Sequence, residues 1–492
     1  MVKITIEINN ITSQIVDFVG DDLSLALKDA LSYSVTGAVF SEYAKAGMWD
    51  GTKNLYDAKR QVFPTGLLKR AISVIKACGY DFNLVDKREK PIGFPLILKN
   101  VKLRDYQEEC VRDMVSKTRG LIQAGTGAGK TVIIAGVLAN LGVNSLVVVP
   151  TTNLLHQTAL ELSDKLGIEV GEIGDSIKKI GKVTVSTFQS LTTSKDVKKR
   201  KYDSQNGRWK TVMDKEVSIR EDLVDYLESV ECLVIDEAHH TISSSIQKIA
   251  YACTSAYYRF GCSATPFNDR DEDVLTEACT GRLLKSFTAS YLIGRGWLSK
   301  PIIHLIPFKH TRGGVSSYME VYKEKVTNNI IRNQLLSNII QTQADLGNSV
   351  LVSVRYLEHG KNLYNLLKDK YGKDVVFVNS KVSTKQLNDA LQQLSNKEIK
   401  ICIGTSLINE GVNIPSLNTL VLAGTPKSKI ATMQLVGRVL RKTKSKNTVD
   451  VYDIQDFNTK FLTSASKERV EIYKTEPEFV LQEDKSYIQQ DV

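Results

Sequence analysis

The chain lacks the features that mark exported or membrane-bound proteins. Its seven cysteines (Cys78, Cys110, Cys232, Cys253, Cys262, Cys279 and Cys402) are scattered, none stands in a C-x-x-C pair, and an odd count fits no closed disulfide framework. A reducing, cytoplasmic setting is expected. No apolar run approaches the roughly 20 residues that span a bilayer. Residues 1–10 alternate apolar and polar side chains, where a signal peptide carries a charged start and an apolar block. The expectation is a soluble, unexported protein without membrane contact.

What is present is an ordinary globular composition with a basic excess. Apolar residues make up 42% and charged ones 24% of 492 residues, the balance of a folded soluble chain, and about 100–200 residues per domain suggests about three domains. The 65 basic residues against 55 acidic ones leave +10, which favours a polyanionic partner without identifying it.

The chain is organised around residues 124–131, A-G-T-G-A-G-K-T, which follow Leu121 and Ile122 and precede a helix-like run over 132–141. Strand, glycine-rich loop and helix start, in that order, form a phosphate-binding loop. Gly125, Thr126, Gly127, Ala128 and Gly129 turn backbone N–H groups toward phosphates, and the helix N-terminus adds partial positive charge. Lys130 reaches the β- and γ-phosphates, and the Thr131 hydroxyl takes Mg²⁺. Ala124 stands where the usual first glycine would be, a small residue the loop tolerates. A glycine-rich turn that binds nothing is disfavoured, because Lys-Thr follows the last glycine directly.

Upstream, alternation predicts strands over 2–8 and 11–18 and helices over 23–31 and 66–78, a small α+β module. Its unusual stretches are G-M-W-D-G at 47–51 and F-P-T-G at 63–66, near Lys45, Lys53, Lys59 and Arg60. Aromatics so placed either stack on nucleic acid or anchor a turn in a core, and anchoring is the commoner use. The charged stretch 87–95 carries two prolines and sets the module at 1–95. Gln107, just ahead of an amphipathic helix, can read an adenine edge with its planar amide, although a lone Gln is more often a surface residue.

Beyond the loop, strands over 145–150, 183–187, 232–236 and 258–263 alternate with helices, which implies a parallel sheet with its site at the strand C-terminal ends. A lysine- and arginine-rich interruption between Leu191 and Leu223 contains Trp209. It is either a basic hairpin touching nucleic acid or, more commonly, a solvated insertion. After Trp297 and Pro301 the pattern restarts with strands over 302–307, 350–354, 375–379, 399–405, 419–424 and 449–454 and a helix over 360–370. This second α/β domain has no phosphate loop, so it completes the first domain's site. The polar tail after Thr463 suggests no task.

The strand Leu233-Val234-Ile235 runs into Asp236-Glu237-Ala238-His239, so two carboxylates emerge on the sheet edge that carries the phosphate loop. Asp236 is expected to hold Mg²⁺ through water, and Glu237 to orient and deprotonate the attacking water. A D-E pair after a strand is common; this pair with a phosphate loop in the same α/β domain is not.

With these stretches in place, the chain resembles superfamily 2 helicases of the DEAH-box type. Gln107 matches the Q motif, 124–131 motif I, V-P-T-T at 149–152 motif Ia, S-T-F-Q at 186–189 motif Ib, 236–239 motif II and S-A-T at 263–265 motif III. G-T-S at 404–406 through G-V-N-I-P at 411–415 matches motif V, and Q-L-V-G-R-V-L-R at 434–441 motif VI. Asn413 stands where motif V usually has Asp, which leaves an ionic contribution to the ribose or interdomain contact unsupported.

The resemblance implies two RecA-like domains, 96–298 and 299–492, with ATP and Mg²⁺ in their cleft. Gln434, Arg438 and Arg441 then serve catalysis, the two arginines, three apart on one helix face, acting as arginine fingers worth about 10³–10⁵ in rate in related phosphoryl-transfer enzymes. Ser263 and Thr265 couple the nucleotide state to a nucleic-acid track contacted by Thr151, Thr152, Thr187, Arg355, Thr405 and Ser406, which position the backbone without reading sequence.

More narrowly, 47–51, F-P-T-G-L at 63–67, H-G-K at 359–361 and K-S-K at 427–429 resemble the phage UvsW-type DNA helicases. That family unwinds and branch-migrates recombination intermediates, and its small N-terminal domain is associated with duplex DNA. This implies a monomeric motor on branched or duplex DNA, contacted mainly through phosphates, in the host cytoplasm if phage-encoded. The competing readings are an RNA helicase and a nucleotide-gated nucleic-acid clamp. Glu237, Arg438 and Arg441 argue against a clamp, which needs neither a water base nor fingers. No nuclease constellation supports a restriction motor subunit.

Overall fold

Runs of β-branched residues such as Ser145–Val149 and Val183–Thr187, buried along their whole length, make strands covered on both faces. The computed structural model describes residues 3–484 and 486, apart from 126, 204–207, 267–272, 310–316, 380, 381, 383, 406–415, 425–428, 444 and 445. The chain divides into two units, Met1–Ala124 with Gly129–Ser286, and Gly125–Ala128 with Phe287–Val492.

In the first unit, six strands pair in parallel in the order Gly171–Gly174, Val183–Thr187, Ser145–Val149, Cys232–Asp236, Tyr258–Ser263 and Arg119–Ala124. Ile177–Lys179 adds an antiparallel edge, and Leu283–Phe287 borders the other side. Helix Lys130–Leu141 is buried almost all round, as a helix inside a core must be. The strands expected at 145–150, 183–187, 232–236 and 258–263 are all present.

The N-terminal module is a four-stranded sheet in the order Val62–Pro64, Thr12–Ile15, Lys3–Ile8 and Asp81–Asp86, with helices Asp21–Ala30 and Leu68–Ala77. Its core of Ile4, Ile6, Ile15, Leu23, Leu27, Phe63 and Ile75 continues into Val274 and Ala278, on helix Asp273–Thr280 of the first α/β sheet. A Cβ on Gly66 would lie 2.1 Å from the Glu277 carbonyl oxygen, so only glycine permits this approach. Arg70 pairs with Glu277 at 2.7 Å, and Arg119 donates to the Asn10 carbonyl at 2.5 Å.

F-P-T-G is thus an anchor, with Phe63 buried and Thr65 Oγ1 donating to the Asn9 carbonyl at 2.8 Å. Half-buried Trp49 closes its own turn, its indole N–H donating to the Thr52 carbonyl at 2.6 Å. The basic interruption is a β-ribbon. Thr192–Asp203 and Arg208–Ile219 pair antiparallel over about 40 Å at the usual rise per residue. The Lys248 ammonium donates to the Val217 carbonyl near the ribbon base, and the Tyr43 and Trp209 rings lie 5.8 Å apart.

The second unit holds seven parallel strands in the order Val375–Val378, Ile401–Gly404, Val350–Ser353, Thr419–Leu422, Thr448–Asp456, Lys300–Phe308 and Val480–Glu483. All the predicted strands are there. The tail contributes more than its polarity suggests. Helix Lys460–Lys474 buries Leu462, Ala465, Ile472 and Tyr473 on one face, and Val480–Glu483 joins the sheet edge, where pairing is a backbone matter.

Candidate active site and nucleic-acid interface

The phosphate loop owes its shape to two glycines in the left-handed region, Gly127 at φ +87° and Gly129 at φ +76°, which side-chain-bearing residues rarely adopt. Ala128 N–H donates to the Gly125 carbonyl at 3.0 Å, and Gly129 caps the helix that Lys130 and Thr131 begin. Thr126 lies outside the described residues. A Cβ on Gly129 would sit 2.7 Å from Gln107 Nε2, so the Gln107 amide lies directly against the loop. Its Oε1 accepts the Arg104 backbone N–H at 2.9 Å; an adenine contact through both amide atoms requires that cap to open.

Lys130 reaches across to the strand Cys232–Asp236. Its ammonium lies 3.8 Å from Asp236 Oδ1 and pairs closely with Glu237 Oε1. Burial works against the Lys130 charge, and the Glu237 and Asp236 charges more than offset it, so its pKa is raised. Burial pushes Asp236 upward, with Lys130 only partly opposing it. Burial pushes Glu237 the same way, but the Lys130 charge and a His239 hydrogen bond prevail and hold it below the usual carboxylate range. The two adjacent carboxylates therefore differ in proton affinity. Glu237 is itself left-handed at φ +50°, a conformation that non-glycine residues keep only where the surroundings impose it, often at functional sites.

Beyond Glu237 the contacts run toward motifs III and Ib. His239 Nδ1 is 3.1 Å from Ser263 Oγ, which is 3.4 Å from Glu237 Oε2 and accepts the Thr265 N–H at 3.3 Å. The His240 ring lies 4.2 Å from that of His239 and 6.5 Å from Phe188. Burial lowers the His240 pKa to about 4, so it is neutral near pH 7. The sequence offered no sign of His240 beyond its place after motif II, because its contact with Phe188 joins two short helical segments distant in the chain.

Thr151 and Thr152 stand at the start of helix Thr152–Leu166, where Thr151 Oγ1 accepts the Leu154 N–H at 3.4 Å. Thr187 likewise caps Phe188–Leu191, and Gln189 Nε2 donates to the Pro150 carbonyl at 3.4 Å. Thr151 and Thr152 thus follow strand Ser145–Val149, and Thr187 ends its parallel neighbour Val183–Thr187. In the second unit, Arg355 and Thr405 follow the adjacent strands Val350–Ser353 and Ile401–Gly404. Ser406 and the motif V stretch 411–415 lie outside the described residues.

Gln434 and Arg438 lie on helix Lys429–Val439, but Arg441 does not. The expected common helix face is incorrect: the helix ends at Val439, and Arg441 forms an antiparallel bridge with Leu298 while Ser299 N–H donates to the Leu440 carbonyl at 2.7 Å. Backbone pairing with a distant segment replaces the next helical turn. Among the described residues, no group of three or more His, Cys, Asp or Glu is placed to hold a metal ion, and no helix is long and apolar enough to cross a membrane.

Residues 100–268 match the family described as type III restriction enzyme, res subunit, and residues 331–443 the helicase conserved C-terminal domain. The chain is 26% identical over 455 residues to the ATP-dependent DNA helicase uvsW of Enterobacteria phage T4, covering 87% of this chain and 86% of that one. It is 24% identical over 395 residues to the DNA 3'-5' translocase XPB2 of Sulfurisphaera tokodaii, covering 73% and 82%. The structure of S. cerevisiae Dbp5 bound to RNA and ADP BeF3 covers 78% of this chain and 90% of its own at TM-score 0.53 and 13% identity, a likeness of fold in two RecA-like α/β domains. With both domain families present in order, the chain belongs to the superfamily 2 helicases, ATP-dependent motors, as a relative of UvsW.

Proposed function

We propose that this helicase is a DNA motor of the DEAH-box type that unwinds or branch-migrates forks and four-way junctions. The observation that carries the reading is Lys130 held by Asp236 and Glu237 beside the phosphate loop, in a chain aligned over 87% of its length with a protein named as a DNA helicase. In this reading Lys130 exchanges the two carboxylates for ATP phosphates. Losing that cation lets the Glu237 pKa rise toward the range in which it can take a proton from water. Ser263, Thr265 and His239 carry the change toward Thr151, Thr152 and Thr187, while Gln434, Arg438 and Arg441 serve hydrolysis as their motif implies.

Thr131 and Asp236 fit Mg²⁺. Both offer hard oxygen donors, and the burial that disfavours the Asp236 charge is relieved by a dication. When bound, Mg²⁺ neutralises charge on the β- and γ-phosphates. We place the domains at 1–95, 96–298 and 299–492, acting as a monomer, with the first supplying the duplex grip through exposed Lys45, Lys53, Lys59 and Arg60. DNA contacts are mainly to phosphates, so binding falls steeply with salt.

The test is ATP-dependent conversion of a labelled four-way DNA junction beside an RNA duplex of matched stability. The junction is expected to be processed. Robust RNA unwinding with no action on the junction would overturn the DNA reading.

A further inference from the structure

Thr405 and Arg355, expected to touch a nucleic-acid backbone, line one cavity of about 650 Å³ together with Met319, Lys323, Tyr356 and Leu357. That volume lies within the roughly 300–1,000 Å³ of small-ligand sites. Three elements of the second unit meet there: the ends of strands Val350–Ser353 and Ile401–Gly404, and helix Tyr318–Tyr322. C-terminal strand edges are where open α/β sheets take ligands.

The cavity is unlike a plain phosphate contact in its aromatic content. The Arg355 guanidinium lies 5.8, 5.3 and 5.5 Å from the ring centroids of Tyr318, Tyr322 and Tyr356 and donates to Tyr318 Oη at 3.0 Å. The rings hold the cation in one place by cation–π attraction. Tyr356 is braced in turn, edge to face at 5.1 Å and 82° against Tyr322, which is fully buried. Yet Tyr356 is 37% exposed, Leu357 36% and Met319 73%, an apolar surface left open beside the cation. The two carboxylates on the same lining are occupied, since Glu320 accepts from Ser317 Oγ at 2.8 Å and Glu358 from Asn328 Nδ2 at 3.1 Å.

We propose that this cavity is a base-stacking subsite for one unpaired nucleotide of a DNA strand. Tyr356, with Leu357 and Met319, takes the base, and Arg355, Lys323 and Thr405 take the flanking phosphate. A site of positive charge alone has no use for an exposed, braced ring, and an apolar site alone has no use for the caged guanidinium. A nucleotide needs both, because each base offers an aromatic face beside a charged backbone. The inference rests on the DNA-motor reading and adds to it a contact that senses whether bases are present and unpaired.

The full chain is titrated at fixed salt with a labelled thymidine homopolymer and with the same strand made abasic. The unaltered chain is expected to bind the thymidine strand more tightly. Tyr356→Ala should weaken that binding roughly 5- to 100-fold, the span of one base-stacking contact, and weaken the abasic strand far less, through the loosened Arg355 alone. Tyr356→Phe should keep the preference, since the ring remains. Equal affinity of the unaltered chain for both strands, or equal weakening of both by Tyr356→Ala, overturns the subsite while leaving the motor reading intact. Binding of neither strand overturns both.

Discussion

Arg332 in the second unit and Lys130 in the first are both cations held by carboxylates, but their surroundings differ. Arg332 and Asp456 are fully buried, and the guanidinium donates to both Asp456 oxygens at 2.9 and 3.0 Å and to the Ala423 carbonyl at 2.9 Å. Arg469 is held the same way by Asp453, whose Oδ2 also accepts the Tyr473 hydroxyl at 2.8 Å. Lys130 instead faces two carboxylates that compete for it, one of them 3.8 Å away, with side chains still 13–19% exposed and one backbone in the left-handed region. A buried charge whose partners are complete clasps a fold. On the function proposed above, one whose partners are in excess and partly open exchanges them for a ligand.

That contrast is broken most directly by Lys130→Ala, which is expected to abolish ATP hydrolysis, a loss on the order of 10³-fold or more, with little change in the unfolding midpoint. Arg332→Met should do the reverse and cost about 3–5 kcal/mol in denaturant unfolding, because Asp456 is left buried and unpaired. Near-normal turnover in the Lys130 variant would remove the site assignment. A large stability loss in that variant would make Lys130 another clasp.

Glu237→Gln keeps the shape of the site and removes its proton acceptor. Turnover should fall about 10²- to 10⁴-fold, while equilibrium binding of ATP and nucleic acid persists. Failure to bind ATP at all would assign Glu237 a structural role.

Arg119 extends the comparison to a half-buried cation held by a carbonyl, that of Asn10 in the N-terminal module. Deleting residues 1–90 strips that partner and bares Val274 and Ala278, so the remaining chain should lose on the order of 3 kcal/mol of stability. Unchanged thermal unfolding of the truncated chain would show a separable module. Charge reversal at exposed Lys53, Lys59 and Arg60 is the gentler probe of a duplex grip, since it leaves the shared core intact.

The smallest expected effect belongs to Lys446, a buried cation held by the carbonyls of Leu417 and Val439 at 3.0 and 2.8 Å. Burial lowers its pKa to about 8. A lowered folded-state value means that the unfolded chain binds more protons between pH 8 and the unperturbed lysine pKa of about 10.4. Stability contributed by this site therefore rises with pH across that window, on the order of 1–2 kcal/mol. Lys446→Met should remove that slope, as read by denaturant titrations at pH 8 and pH 10. An identical slope in the variant would assign the dependence to other groups.

Much of the site was legible before any fold. A phosphate loop, a D-E pair after an apolar strand and the motif order are local features: neighbouring residues carry the chemistry, and uninterrupted apolar runs identify strands buried on both faces. The sequence by itself therefore determined the motif set of an ATP-dependent helicase, the two α/β domains and most strand positions. Only the tertiary structure decided where Arg441 lies, because a bridge to Leu298 ended a helix that local pattern would have continued. It also joined the N-terminal module to helix Asp273–Thr280, made an edge strand of the polar tail, and brought Tyr318 and Tyr322 to Arg355. Each of these is a contact between segments far apart in the chain, set by packing and backbone pairing, which leave no period or spacing to read.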